Sequence, residues 1–161
     1  MKAKILADDQ IRDAFFEAMT RGWVGNDPKI TTLQDIPGSH LIRVVYGNFE
    51  MYDMYFTSPS SDQSHGTTLI HHNGEMVWFM SYEGHYPKRV IPYLRESLKQ
   101  AYFLEKRFYG GRGPIIFAAK DYTYVNFPER NDFRKFKGRE QILDSHQVEI
   151  GYHEYRGGLV D

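Results

Sequence analysis

Asp53 and Asn126 are the polar side chains whose surroundings best suit them to chemistry. Each sits in an extended run rich in tyrosine, Tyr52-Asp53-Met54-Tyr55 and Tyr122-Thr123-Tyr124-Val125-Asn126, and they stand 73 positions apart. The same offset carries Phe49 onto Tyr122, Met51 onto Tyr124, Ile70 onto Leu143, Val77 onto Ile150 and Tyr82 onto Tyr155. Related by a twofold, the carboxylate and the amide would meet at a central cleft and hold a polar ligand. Alternatively, each satisfies backbone groups at a strand bend, since buried polar groups need partners. Tyr52, Tyr55, Trp78, Tyr82, Tyr124, Tyr152 and Tyr155 would stack a planar ligand such as a nucleobase, or would simply fill the core of a sheet.

Arg112 is the cation expected at an anionic ligand, because Gly110, Gly111 and Gly113 leave its guanidinium and the neighbouring amides open to a phosphate or carboxylate. A structural pairing with Glu140 or Asp121 is the competing role. The string lacks the lysine and spacing of a phosphate loop. Glu140 completes the expected ligand-binding set of Tyr52, Asp53, Tyr55, Trp78, Tyr82, Arg112, Tyr124 and Asn126. Seven histidines raise the question of a metal, but His71 and His72 are adjacent on an expected strand and face opposite ways, and no HExxH is present. No metal and no cofactor is expected. His153 with Glu154, or His71 with Glu140, would make an acid/base pair. No serine sits in a G-x-S-x-G elbow.

The elements that must position these groups repeat. Ile11, Ala14, Phe15, Ala18 and Met19 share one helical face after a cap at Asp8 or Asp9, and Gly22 ends that helix. Residues 23–39, with VGNDPK and Pro37-Gly38, read as a loop over the domain. Strands at 41–46 and 49–57 turn at Gly47-Asn48, and strands at 67–72 and 75–83 turn at Asn73-Gly74. Trp78, Met80 and Tyr82 should project together, opposite Phe79 and Ser81. Neither face of 49–57 is plainly polar, which predicts a strand covered in part on both sides. Residues 58–66, SPSSDQSHG, read as a flexible tip. Pro87 opens a second helix with a stripe of Val90, Ile91, Leu94, Leu98, Ala101 and Tyr102, and strands follow at 115–119, 121–127, 139–143 and 148–155. The expectation is an α+β fold: a helix-plus-four-strand unit duplicated as halves of approximately 8–84 and 87–161, with a mainly antiparallel curved sheet and a pseudo-twofold.

Composition sets the limits. The 161 residues suit one domain, 1–161, with its own core. A net charge of −1 gives no bulk attraction to nucleic acid or an anionic membrane. Without cysteine there is no disulfide, thiolate metal site or thiol nucleophile. No signal peptide or membrane span is legible, and a cytoplasmic location is expected.

Taken in order, Asn48 to Tyr55, Asn73 to Gly84, Arg112-Gly113-Pro114, Asp121 to Asn126, Phe136-Lys137-Gly138-Arg139-Glu140 and Tyr155-Arg156-Gly157-Gly158 resemble a bacterial domain of unknown function often found C-terminal to helix-turn-helix regulators of the Xre type. The resemblance covers roughly residues 14–160. That family carries a phenylalanine-x-glycine-x-glutamate element in both halves. Here the second half keeps it at 136–140, whereas the first has Ser64-His65-Gly66-Thr67-Thr68, which removes one of the paired glutamates. The resemblance implies the effector half of such a regulator, standing without the DNA-binding module, and implies no reaction.

These observations favour a non-enzymatic domain that senses or sequesters a small planar or anionic molecule. A protein-interaction module (an inhibitor, immunity or anti-defence protein docking on a host protein) is the second reading. A small hydrolase or transferase using histidine and carboxylate is the third. Direct nucleic-acid or membrane binding is not expected, and strand edges leave room for a homodimer.

Overall fold

The computed structural model describes residues 6–25 and 29–160. Helix α1 (Asp8–Gly22) buries Ile11, Ala14, Phe15, Phe16, Ala18 and Met19 along one face. Its N-cap is Ala7 rather than an aspartate. Gln10 takes over the capping by accepting the Ala7 N–H at 3.1 Å, which leaves Asp8 and Asp9 in the first turn, where acidic groups suit the helix dipole.

Nine strands make one antiparallel sheet in the order β1-β2-β3-β4-β5-β9-β8-β7-β6: β1 (Ile30–Thr31), β2 (Ser39–Tyr46), β3 (Phe49–Ser58), β4 (Ser61–His72), β5 (Glu75–His85), β6 (Ile116–Ala119), β7 (Tyr122–Arg130), β8 (Lys135–Leu143) and β9 (Glu149–Leu159). Five consecutive strands, β1–β5, thus form one meander and four, β6–β9, the other, and the two meanders are joined by β5 against β9. The expected hairpin at Asn73-Gly74 is present, with both residues at positive φ (51° and 85°), the geometry of a twist-matched two-residue turn. Part of the VGNDPK run, residues 26–28, lies outside the described residues. Just beyond it, the two-residue β1 interrupts the expected loop.

The segment expected to be a flexible tip is instead strand. β4 begins at Ser61, leaving Pro59 and Ser60 as the turn, and Ser64 pairs with Thr57 on one side and Gly84 on the other. A backbone ladder needs no apolar side chains, so polar composition misled there.

A 3-10 turn (Lys88–Val90) leads from Pro87 into α2 (Ile91–Lys99), where Pro92 sits in the first turn and needs no N–H partner. The helix widens into a π-type turn, Gln100–Glu105, that ends at Lys106 in the left-handed region (φ 48°). The core gathers on one face of the sheet, where Trp78 lies over Phe133 and Phe136 at 5.7 and 5.4 Å and Phe15 of α1 packs at 5.0 Å. On the opposite face Tyr52, Met54, Phe56, Leu69 and Phe79 remain partly exposed. No helix among the described residues is long and apolar enough to cross a membrane.

Candidate functional site

Antiparallel pairing sets the polar groups in rows. Ser64 of β4 opposes Gly84 of β5, Gly84 opposes His153 of β9, His153 opposes Glu140 of β8, and Glu140 opposes Asn126 of β7. Because directly opposed residues point to the same face, four polar side chains from both meanders line up on the core side of the sheet. One row over run Tyr55, Gly66, Tyr82, Tyr155 and Gly138. The two glycines are what let the tyrosines lie flat, since a Cβ on Gly66 would run into the Tyr82 ring and one on Gly138 into the Tyr155 hydroxyl.

The Asp53 carboxylate is wholly buried. Its Oδ1 accepts the hydroxyls of Thr68 and Tyr82, both at 3.0 Å, and its Oδ2 accepts the Trp23 indole N–H. Burial raises its pKa from 3.8 to about 6, against those three hydrogen bonds and the charge of Arg112. Asn126 is held in a similar way: its Oδ1 accepts the Tyr155 hydroxyl at 2.6 Å, while its Nδ2 donates to the carbonyls of Tyr109 and Gly113 at 2.8 Å.

Arg112 is not open to solvent as the flanking glycines suggested. It is 3% exposed and donates from Nη2 to Glu140 Oε1 at 2.5 Å, the structural pairing that had competed with the ligand role. Gly110 and Gly111, at φ 68° and 77°, turn the chain inward, and Tyr102 donates to the Gly111 carbonyl at 2.7 Å. The second oxygen of Glu140 accepts the Tyr124 hydroxyl at 2.5 Å. Burial alone would push the Glu140 carboxyl up, but the charge and hydrogen bond of Arg112, with His153 beside it, hold it down at about 2.

Neither expected acid/base pair, His153 with Glu154 or His71 with Glu140, forms, and His153 is 6% exposed. Glu154 points to the other face, as the next residue on a strand must, and His71 packs edge-on to Tyr52 at 5.5 Å on that outer face. Instead His153 Nε2 lies 3.0 Å from Ser64 Oγ, and its Nδ1 lies 3.4 Å from Arg112 Nη2 and 3.5 Å from Glu140 Oε1. Serine, histidine and glutamate therefore stand in the order nucleophile, base and orienting acid. With Nδ1 accepting from Arg112, which can only donate, Nε2 carries the proton and donates to Ser64, leaving the serine unactivated; with Nδ1 protonated, the ring faces Glu140 as donor and Nε2 accepts from Ser64. Burial, with Arg112 close by, lowers the His153 pKa and keeps the ring neutral.

These groups form the floor of a cleft of about 1130 Å³ walled by α2, by residues 32–39 and by β3 and β4. Tyr55, Tyr82, Arg112 and His153 line it, with Ser64 and Trp23. Tyr55 is stacked on His40 at 4.6 Å and tilted against Trp23 at 5.7 Å. Asp53, Tyr124, Asn126 and Glu140 are not on the wall: Asp53 is hydrogen-bonded to the lining residues Tyr82 and Trp23, Glu140 to Arg112, and Tyr124 and Asn126 lie beyond them. Trp78 belongs to the core, and Tyr52 stands on the opposite face with its hydroxyl on Glu50 at 2.6 Å. Trp23, Ser64, Tyr86 and Arg95 also line the cleft, although none was among the expected site residues. Ser64 was hidden in a segment read as loop, and Arg95 among the charges of a helix face. Among the described residues no three histidine, aspartate or glutamate side chains come together to hold a metal ion.

Compared with known proteins, the chain matches no curated protein and no solved structure. Against protein families, residues 53–160 match a domain of unknown function, DUF5680, and the matched stretch runs from Asp53 through every polar residue of the floor. Spanning most of the chain, that match makes this protein a member of the DUF5680 family.

Proposed function

We propose that this protein binds a small planar or anionic molecule in the cleft and acts by sensing or sequestering it rather than by transforming it. The observation that carries the reading is the composition of the floor: aromatic rings and buried hydrogen-bonding groups lie at or just behind the wall of a cleft of about 1130 Å³, as in ligand sites. The arrangement of the floor also supports reading the chain as two duplicated halves about a pseudo-twofold. In that reading Asp53 with Tyr82 and Asn126 with Tyr155 are counterparts, and Thr68 stands where the second half has Glu140. The resemblance noted from sequence suggests a bacterial, cytoplasmic effector module of the kind attached to Xre-type regulators.

Two other readings weigh less. A protein-docking module would draw on the partly exposed rings of the opposite sheet face, Tyr52, Phe56 and Phe79, whereas the buried polar groups of both meanders gather behind the cleft. A hydrolase would draw on Ser64, His153 and Glu140, but the 3.5 Å from His153 Nδ1 to Glu140 is long for the hydrogen bond that orients a base, and Arg112 competes for the same nitrogen.

The test is native mass spectrometry of the purified protein with identification of any extracted molecule, beside a thermal-shift panel of nucleotides, their cyclic and ADP-ribose derivatives, and aromatic acids. A retained molecule, or a shift of several degrees that disappears in Tyr55→Ala, supports the reading. An empty protein with no shift anywhere in the panel overturns it. Labelling of Ser64 by a fluorophosphonate would instead establish the hydrolase.

A further inference from the structure

Three of the residues lining the cleft carry a buried polar atom without a hydrogen-bond partner: Tyr86 OH, Arg95 Nε and Arg112 Nε. Leaving a buried donor unpaired is costly, so native structures seldom do it without a use. Here three such atoms come from three separate segments, the end of β5, α2 and the turn before β6, and belong to residues of one cavity. Tyr86 is 5% exposed and Arg112 3%, so bulk water does not compensate them. All three can donate, and guanidinium nitrogens can do nothing else. Burial pushes the Tyr86 hydroxyl pKa up and Glu140 lies near enough to help, but no acceptor stands in hydrogen-bonding geometry to any of the three.

The charge around them narrows the chemistry of a fitting acceptor. Glu140 already balances Arg112. Arg95 makes no ion pair among the described residues, and the remaining charged side chains on the cleft wall, Lys88 and Asp62, are both exposed and of opposite sign. One unmatched guanidinium beside neutral donors suits a single negative charge better than the double charge of a phosphate monoester. Otherwise the cleft wall is largely apolar, with Trp23, Tyr55 and Tyr82 on the sheet side and Ile91, Leu94 and Leu98 on the other. A flat ring lies between such walls at little cost in entropy.

We infer that the cleft is a site for a planar aromatic monocarboxylate, its carboxylate accepting from Arg95, Tyr86 OH and Arg112 Nε and its ring held between the Trp23–Tyr55 wall and α2. This rests on the ligand-binding reading above, and the two fail differently.

The experiment is isothermal titration of the full chain with benzoate, 2-naphthoate and indole-3-acetate, each against its neutral carboxamide. At least one acid should bind, ten times or more tightly than its amide. Arg95→Gln should remove that preference with little change in melting temperature, because the native side chain satisfies no partner. Tyr86→Phe should weaken the acid several-fold while raising the melting temperature of the free protein, since it deletes an unpaired hydroxyl and leaves the ring. A merely structural hydroxyl would show the second effect without the first. Equal affinity for acid and amide, undiminished binding in both variants, or no binding by any of the three acids overturns the inference. If a nucleotide from the broader panel then binds in the cleft, the ligand-binding reading survives it; if nothing binds, both fall.

Discussion

Tyr82 and Tyr155 face each other across the β5–β9 pair, and each gives its hydroxyl hydrogen to a polar residue of its own meander, Tyr82 to Asp53 at 3.0 Å and Tyr155 to Asn126 at 2.6 Å. The joint between the meanders is therefore a pair of stacked polar links and not only a backbone ladder. The two acceptors differ in one respect: Asp53 ionises and Asn126 does not.

That difference has a pH signature. The Asp53 carboxyl is raised from 3.8 to about 6 in the folded protein, so the folded state holds a proton that the unfolded chain releases, and stability falls as pH rises between those values. Above about pH 6 the loss is complete, amounting to about 3 kcal/mol at 1.4 kcal/mol per unit. Denaturant titrations of wild type and Asp53→Asn should diverge progressively from pH 4 to pH 6 and run parallel above. The groups around it either do not titrate there (Arg112, Thr68, Trp23 and Tyr82) or, like His153, titrate in both proteins. A pH-independent difference would place the burial cost elsewhere.

Glu140→Gln should cost about 3 to 5 kcal/mol at neutral pH, because it leaves the Arg112 guanidinium buried without its counter-charge. The Glu140 carboxyl is depressed from 4.5 to about 2, so its contribution is fully present above pH 4.5 and is lost as pH falls toward 2. Unfolding midpoints at pH 7 and pH 2.5 check both statements: the gap between wild type and variant should be wide at the first and narrow at the second.

Gly66→Ala and Gly138→Ala should each destabilise by about 1 to 3 kcal/mol or more, since the added methyl meets the Tyr82 ring in one case and the Tyr155 hydroxyl in the other. Neither glycine has positive φ, so the penalty is crowding and not backbone strain. Truncating the tyrosine in the same chain should return part of it, and double-mutant cycles measure that recovery. Strict additivity would contradict the packing described.

Tyr55→Ala should weaken any cleft ligand tenfold or more, the usual range for a lost stacking partner, whereas Tyr52→Ala, on the far face, should leave binding unchanged. Paired titrations with the same ligand decide the matter. Equal losses would move the site out of the cleft.

Much of the local structure was legible. The three-and-four spacing of Ile11, Phe15, Ala18 and Met19 marks α1, Asn73-Gly74 marks its turn, and alternation puts Trp78, Met80 and Tyr82 on the buried side. Local signals of that kind carry no information about long-range register. Nothing near His153 says that it stands beside Glu140 and reaches Ser64, because that row depends on β9 lying between β5 and β8. For the same reason Arg112 reads as an exposed cation among glycines, although those glycines turn it inward. Trp23 was read as the start of a covering loop, and its indole is a donor to Asp53. Ser64 was concealed by composition: serine, aspartate and glycine favour turns, yet here they form a strand whose small side chains leave room for larger neighbours.

The position of β9 also sets an order of events. Every other neighbouring pair in the sheet is consecutive in sequence, so seven of the junctions close by short-range zippering, whereas β5 must wait for the last strand to be made before it gains its second neighbour. During synthesis the first meander is therefore a finished array with one raw edge, carrying Trp78, Met80 and Tyr82 without the cover of Phe136 and Tyr155. That interval favours wrong partners over right ones. A nascent chain paused between β5 and β9 is the species on which a chaperone would have most to do.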